Sequence, residues 1–100
     1  MAKTRYRIVE TDEVIIDPSY GGMNGYAAHE LGYSWPYTMN TILVSSDLTR
    51  AGRRRTVNHE KFEIQLMRRG VRYMIAHAAA LKMDAQVKYK RREKTRTTFK

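Results

Sequence analysis

The chain has 100 residues, 19 of them Lys or Arg against 10 Asp or Glu, so it carries a formal charge of +9 and no stretch apolar enough to span a bilayer. That length suits one domain with a modest core and excludes two independent ones. With no cysteine there is neither a disulfide framework nor a thiolate metal site, and a metal would need carboxylates and the three histidines as ligands.

The first residues, MAKTRYRIVETDEV, are basic without an apolar run behind them. A secretory signal is therefore not expected, and the expected setting is cytoplasmic or virion-associated with no membrane partner. Residues 4–10 (TRYRIVE) alternate Tyr6 and Ile8 with Arg5 and Arg7, and residues 14–16 (VII) are a β-branched run broken by Asp17-Pro18. Two short strands are predicted there. Residues 17–40 are rich in turn formers and in aromatics, namely Tyr20, Tyr26, Tyr33, Trp35 and Tyr37, and residues 26–31 (YAAHEL) predict a short helix ended by Gly32. A loop of this length reads either as a binding surface or as an aromatic plug for a small core.

Residues 40–45 (NTILVS) are the best strand in the sequence. Helical spacing follows: Ser46, Asp47 or Thr49 can cap a helix with an apolar stripe of Val57, Phe62, Ile64, Leu66 and Met67. Gly70 supplies its stop, with Arg68 and Arg69 in the last turn. A second helix starts at once. Val71, Met74, Ile75, Ala78, Leu81 and Ala85 give its predicted apolar face, while Ala76, Ala78, Ala79 and Ala80 permit a close neighbour. Its end is expected to fray into the basic tail. The predicted fold is α+β, a small antiparallel sheet packed on two long helices that form an αα-hairpin.

Within the first long helix, His59 and Glu63 are four residues apart and project from one face, the spacing of two ligands on one metal. Glu60 follows His59 directly, the position at which an H-E-x-x-H helix carries the general base of a zinc peptidase. Helix arithmetic supplies a third ligand. Glu63 lies seven residues before Gly70 and His77 seven after it, so a hairpin turning at Gly70 sets both side chains at one level. His59, Glu63 and His77 would then hold zinc with an open fourth position, and Glu60 would take a proton from the water activated there. The plainer alternative makes His59, Glu60 and Glu63 a solvated stripe paired with Arg55, Lys61 or Arg69, and His77 a packed residue. Tyr73, one turn before His77, either assists the site as an orienting neighbour or oxyanion donor, or packs in the core. Asp84 either holds the His77 ring or faces solvent. His29-Glu30 repeats the His-Glu pair but has Tyr33 at the fifth position, so His29 reads as surface or loop anchor.

The run RRRTVNHEKFEIQLMRRGVRYMIAHAAALK resembles small zincin-like proteins of the minimal gluzincin type, through His59, Glu60, Glu63, Leu66, Met67, Gly70, Tyr73, Ala76, His77 and Ala80. The resemblance covers about residues 40–82, with Glu63 standing where the usual helix has its second histidine. It implies a zinc-dependent metallopeptidase-like activity on a peptide or protein substrate. It also implies that residues 40–45 are the edge strand before the active-site helix, with Ile42, Leu43, Val44 and Ser45 as a shelf for an extended substrate.

Residues 88–100 (KYKRREKTRTTFK) hold seven cations and one Glu, net +6, which leaves +3 for residues 1–87. The expected organisation is thus a single domain over 1–87 and a basic C-terminal tail over 88–100. Lys88, Lys90, Arg91, Arg92, Lys94 and Arg96 suit a phosphate backbone or an acidic protein surface, with no base-reading motif beside them. The competing expectation is therefore a non-catalytic structural or nucleic-acid-associated protein, such as a small virion component, that works through this tail.

Overall fold

The structure, a computed structural model, describes residues 5–12 and 21–98, with side chains as far as Ala85 in the last helix. The elements run β1 (Arg7–Thr11), β2 (Gly22–Asn24), α1 (Gly25–Leu31), β3 (Thr41–Ser45), α2 (Arg50–Arg68) and α3 (Tyr73–Thr98). The fold is α+β, as expected, but the sheet is mixed rather than antiparallel. Its order is β1-β3-β2, with β1 parallel to β3 and β2 antiparallel to it. The strand predicted at residues 14–16 lies outside the described residues.

The strand predicted at residues 40–45 is β3, and it is the central strand, not an edge. β1 pairs along its whole length from Arg7↔Thr41 to Thr11↔Ser45, and β2 takes the other side from Gly22↔Val44 to Asn24↔Ile42. Thr41, Ile42, Leu43 and Val44 are all buried, as befits a strand covered on both faces. Ile42–Ser45 therefore offer no open backbone for an added peptide strand, and the substrate shelf is overturned.

Local chemistry sets the helix ends. Asn24 caps α1 by accepting the Ala27 backbone N–H, and Gly32, at φ 83°, closes the helix in the left-handed conformation. Thr49, one of the three predicted caps, accepts the Gly52 N–H at 3.0 Å and starts α2. Gly70 N–H donates to Met67 O at 3.0 Å and Val71 N–H to Leu66 O at 3.2 Å, a Schellman closure that Gly70 permits at φ 95°.

Gly22, Asn24, Ile42 and Val44 share one face of the sheet by alternation, and α2 lies on that face. Ile64 packs there with Ile42 and Val44, ringed by Tyr6, Ile8, Tyr26, Leu48 and Val57. A second cluster joins Met23, Ala27 and Ala28 to Trp35, Met67 and Tyr73. Trp35 also donates its indole N–H to Thr38 O at 3.0 Å and meets Tyr37 edge to face. Trp35 and Tyr26 thus serve packing, whereas Tyr33 is exposed.

The rotation of α3 differs from the one its periodicity predicts. Among its described side chains Ala76, Ala80 and Asp84 are the buried ones, while Met74, Ile75 and Leu81 are 79%, 66% and 43% exposed. The large apolar side chains face outward because the alanines admit close approach to α2 and because His77 and Asp84 are drawn to polar partners on it. α3 also runs on to Thr98, so the basic residues from Lys88 continue the helix backbone rather than fraying from it.

Candidate metal centre

α2 and α3 run antiparallel beyond the Gly70 turn: His59 meets Asp84, and one turn later Glu63 meets His77. Three of the four groups converge on one point. Glu63 Oε2 lies 2.6 Å from His59 Nε2 and 2.6 Å from His77 Nδ1, and the two ring nitrogens are 3.3 Å apart. His59, Glu63 and His77 thus form a group that could hold a metal ion, their donor atoms all lying within 4.8 Å of one another. Tetrahedral zinc ligands at their usual bond lengths stand about 3.3 Å apart. The His–His separation already matches that spacing, and the carboxylate has to withdraw by less than about 1 Å from each ring to match it too.

The electrostatics of the centre also suit a cation. Glu63 is 1% exposed, and its partners among the described residues are the two imidazoles and the Asn24 amide, with no Lys or Arg among them. A buried carboxylate without a fixed cation is costly. Glu60, 3% exposed, and Asp84, 9% exposed, add two more acidic groups to the same region.

Asp84 fixes the tautomer of His59. Its Oδ2 is 2.8 Å from His59 Nδ1, which donates, so that Nε2 is the ring nitrogen turned toward Glu63 and His77. Asp84 therefore holds the ring of His59, where the sequence offers either the His77 ring or solvent as its surroundings. The His77 side chain is 23% exposed and is the rim of an otherwise buried cluster. The Tyr73 ring stacks on it with centroids 5.2 Å apart and an interplanar angle of 23°. That placement joins Tyr73 to His77 through ring contact, and it also joins the Met23 cluster.

The spacing argument thus brings His59, Glu63 and His77 together, with Glu60 adjacent. It does not find Asn24. The Asn24 Nδ2 donates to Glu60 Oε1 at 2.9 Å and to Glu63 Oε1 at 3.2 Å, from a strand 36 and 39 residues upstream. The signal in the sequence, an Asn just before a helical run, marks a cap but says nothing about carboxylates. Glu30 is also missed: it accepts the Tyr73 backbone N–H and the Arg72 Nε–H, capping α3 from the end of α1. His29 is exposed, as expected of a surface residue. Lys88, Lys90, Arg91, Arg92, Lys94 and Arg96 belong to the part of α3 whose side chains lie outside the described ones.

Among the described residues, no helix is long and apolar enough to cross a membrane. No family model, no curated protein and no solved structure matches the chain.

Proposed function

We propose that this protein is a zinc-dependent, zincin-like hydrolase acting on peptide bonds, with His59, Glu63 and His77 as ligands and Glu60 as general base. The observation that carries the reading is Glu63: a buried carboxylate whose Oε2 faces two imidazole nitrogens at 2.6 Å and which, among the described residues, has no Lys or Arg as partner. Two His and one carboxylate are the donor set of catalytic zinc sites. When bound, the ion supplies a Lewis acid that polarises a carbonyl and makes water acidic near neutral pH.

The chain's own residues provide the rest. Asp84 accepts from His59 Nδ1 and so leaves Nε2 as the nitrogen that would meet the ion. Glu60 is held by Asn24 beside the ligands and supplies the carboxylate that takes and returns a proton. His77 is the partly exposed member, and substrate approaches past it.

A purely structural metal is the second reading, favoured by the burial of His59 and Glu63 and by the position of the centre between α2 and α3. Elemental analysis of protein purified without added metal tests both, with one zinc per chain expected and loss of it in His59→Ala and His77→Ala. Protein that carries no metal and whose stability ignores chelator defeats both. Glu60→Ala separates them: it keeps the metal, and peptide hydrolysis that depends on Glu60 establishes the catalytic reading.

A further inference from the structure

Asn24 touches both carboxylates of the centre without belonging to the ligand set. It is fully buried at the end of β2, opposite Ile42, and its Oδ1 accepts the Ala27 backbone N–H at 2.9 Å. Only the amide oxygen can accept, so this cap settles which way the amide points. The Nδ2 group is left facing α2, where its two hydrogens go to Glu60 Oε1 at 2.9 Å and Glu63 Oε1 at 3.2 Å.

One consequence concerns Glu63. With Oε1 engaged by Asn24, the oxygen turned toward His59 and His77 is Oε2. A second consequence concerns Glu60, whose carboxylate is tied to the same amide and so is kept level with the ligands. The same donor also lies between two acidic groups that would otherwise repel each other. Residue types that share only part of this work fail at the rest. Asp caps a helix equally well but would set a third carboxylate against the two, and Ser caps but has no amide to extend to α2.

We propose that Asn24 is a positioning residue that makes Glu63 a one-oxygen metal ligand and holds Glu60 outside the ligand set. The proposal rests on the metal-binding reading above, and it adds a role that capping α1 alone would not require.

Asn24→Asp and Asn24→Ser test it, because both retain an N-cap acceptor and so preserve α1. The probes are cobalt(II) and zinc alone, added to the full-length apo chain, with circular dichroism to verify the fold. In the wild type, cobalt is expected to show the intense visible bands of four-coordination. In both variants those bands weaken toward a higher coordination number as a second carboxylate oxygen reaches the ion. Zinc affinity in Asn24→Ser falls by about 10- to 100-fold, the usual effect of losing a group that orients a ligand. Wild-type cobalt bands and wild-type zinc affinity in both variants would overturn the proposal and leave Asn24 as a helix cap. A wild-type chain that binds neither ion fails the metal reading itself, a result distinguishable because it does not depend on residue 24.

Discussion

His59 Nδ1 and Asp84 Oδ2 are 2.8 Å apart, across 25 residues and between two helices. The pair does two things at once. It sets the Nε2 side of His59 toward Glu63 and His77, and it fastens α3 to α2 one turn from Glu63 and about two turns from His77. Replacing Asp84 by Ala removes the acceptor and lets the ring and its tautomer wander, so zinc affinity should fall by about 10- to 100-fold. Asp84→Asn keeps an acceptor oxygen and should fall between Ala and wild type. Competition titration against a chromogenic chelator gives both numbers, and equal affinities in all three proteins would show that the contact does not orient the ligand.

Metal removal should be felt by the whole fold, because the ligands join α2 to α3 while, among the described residues, the fully buried apolar side chains of α3 are only Ala76 and Ala80. At a free zinc concentration about 100 times Kd, binding stabilises the native state by about 2.7 kcal/mol. For a chain of this size that corresponds to a rise in Tm of about 10–20 °C. Thermal melts with and without a chelator measure it. The difference should vanish in His77→Ala.

Glu30 accepts the Tyr73 N–H through both oxygens, at 2.9 and 3.1 Å, and the Arg72 guanidinium at 3.0 Å. It thus places a negative charge at the N-terminus of α3, where no acidic residue of that helix stands in the first turn. Glu30→Ala should cost about 1 kcal/mol, seen as a Tm lower by about 4–8 °C. Because Glu30 is no ligand, zinc stoichiometry should remain one per chain. A loss of metal in this variant would mean that the position of α3, and not only its stability, depends on the cap.

The site was legible in the sequence to the extent that it is local. His59 and Glu63 share a helix face by spacing alone, and Gly70 places His77 level with Glu63 because seven residues lie on either side of a tight turn. Thr49, Gly32 and Gly70 act at helix ends as their side chains or lack of one dictate. Long-range pairings carry no such mark. The parallel pairing of Arg7 with Thr41 depends on which strand β1 meets in space, and an apolar run such as Ile42–Val44 reads alike at an edge or a centre. The rotation of α3 misleads for a chemical reason: hydrophobic periodicity selects Met74, Ile75 and Leu81, but alanines and two polar groups paired to α2 set the buried face. Asn24 escapes for the opposite reason, since its partners are carboxylates 36 and 39 residues further along the chain.

The approach of β2 to α2 that brings Asn24 onto the carboxylates depends on Gly22. A methyl group at this position would lie 2.5 Å from Thr56 Cγ2 and 3.4 Å from Glu60 Cγ and Oε2. Gly22→Ala must therefore push the strand and helix apart or displace Thr56, at a cost of about 1–3 kcal/mol. The same displacement would stretch the Asn24 bonds to Glu60 and Glu63, so zinc affinity should fall together with stability. Thr56→Ser deletes the offending methyl while keeping the hydroxyl. The double variant Gly22→Ala, Thr56→Ser should then recover stability relative to Gly22→Ala, a coupling opposite in sign to two independent losses. A double-mutant cycle on Tm and on zinc Kd measures it. Simple additivity in both would show that the spacing between β2 and α2 is not set by this contact.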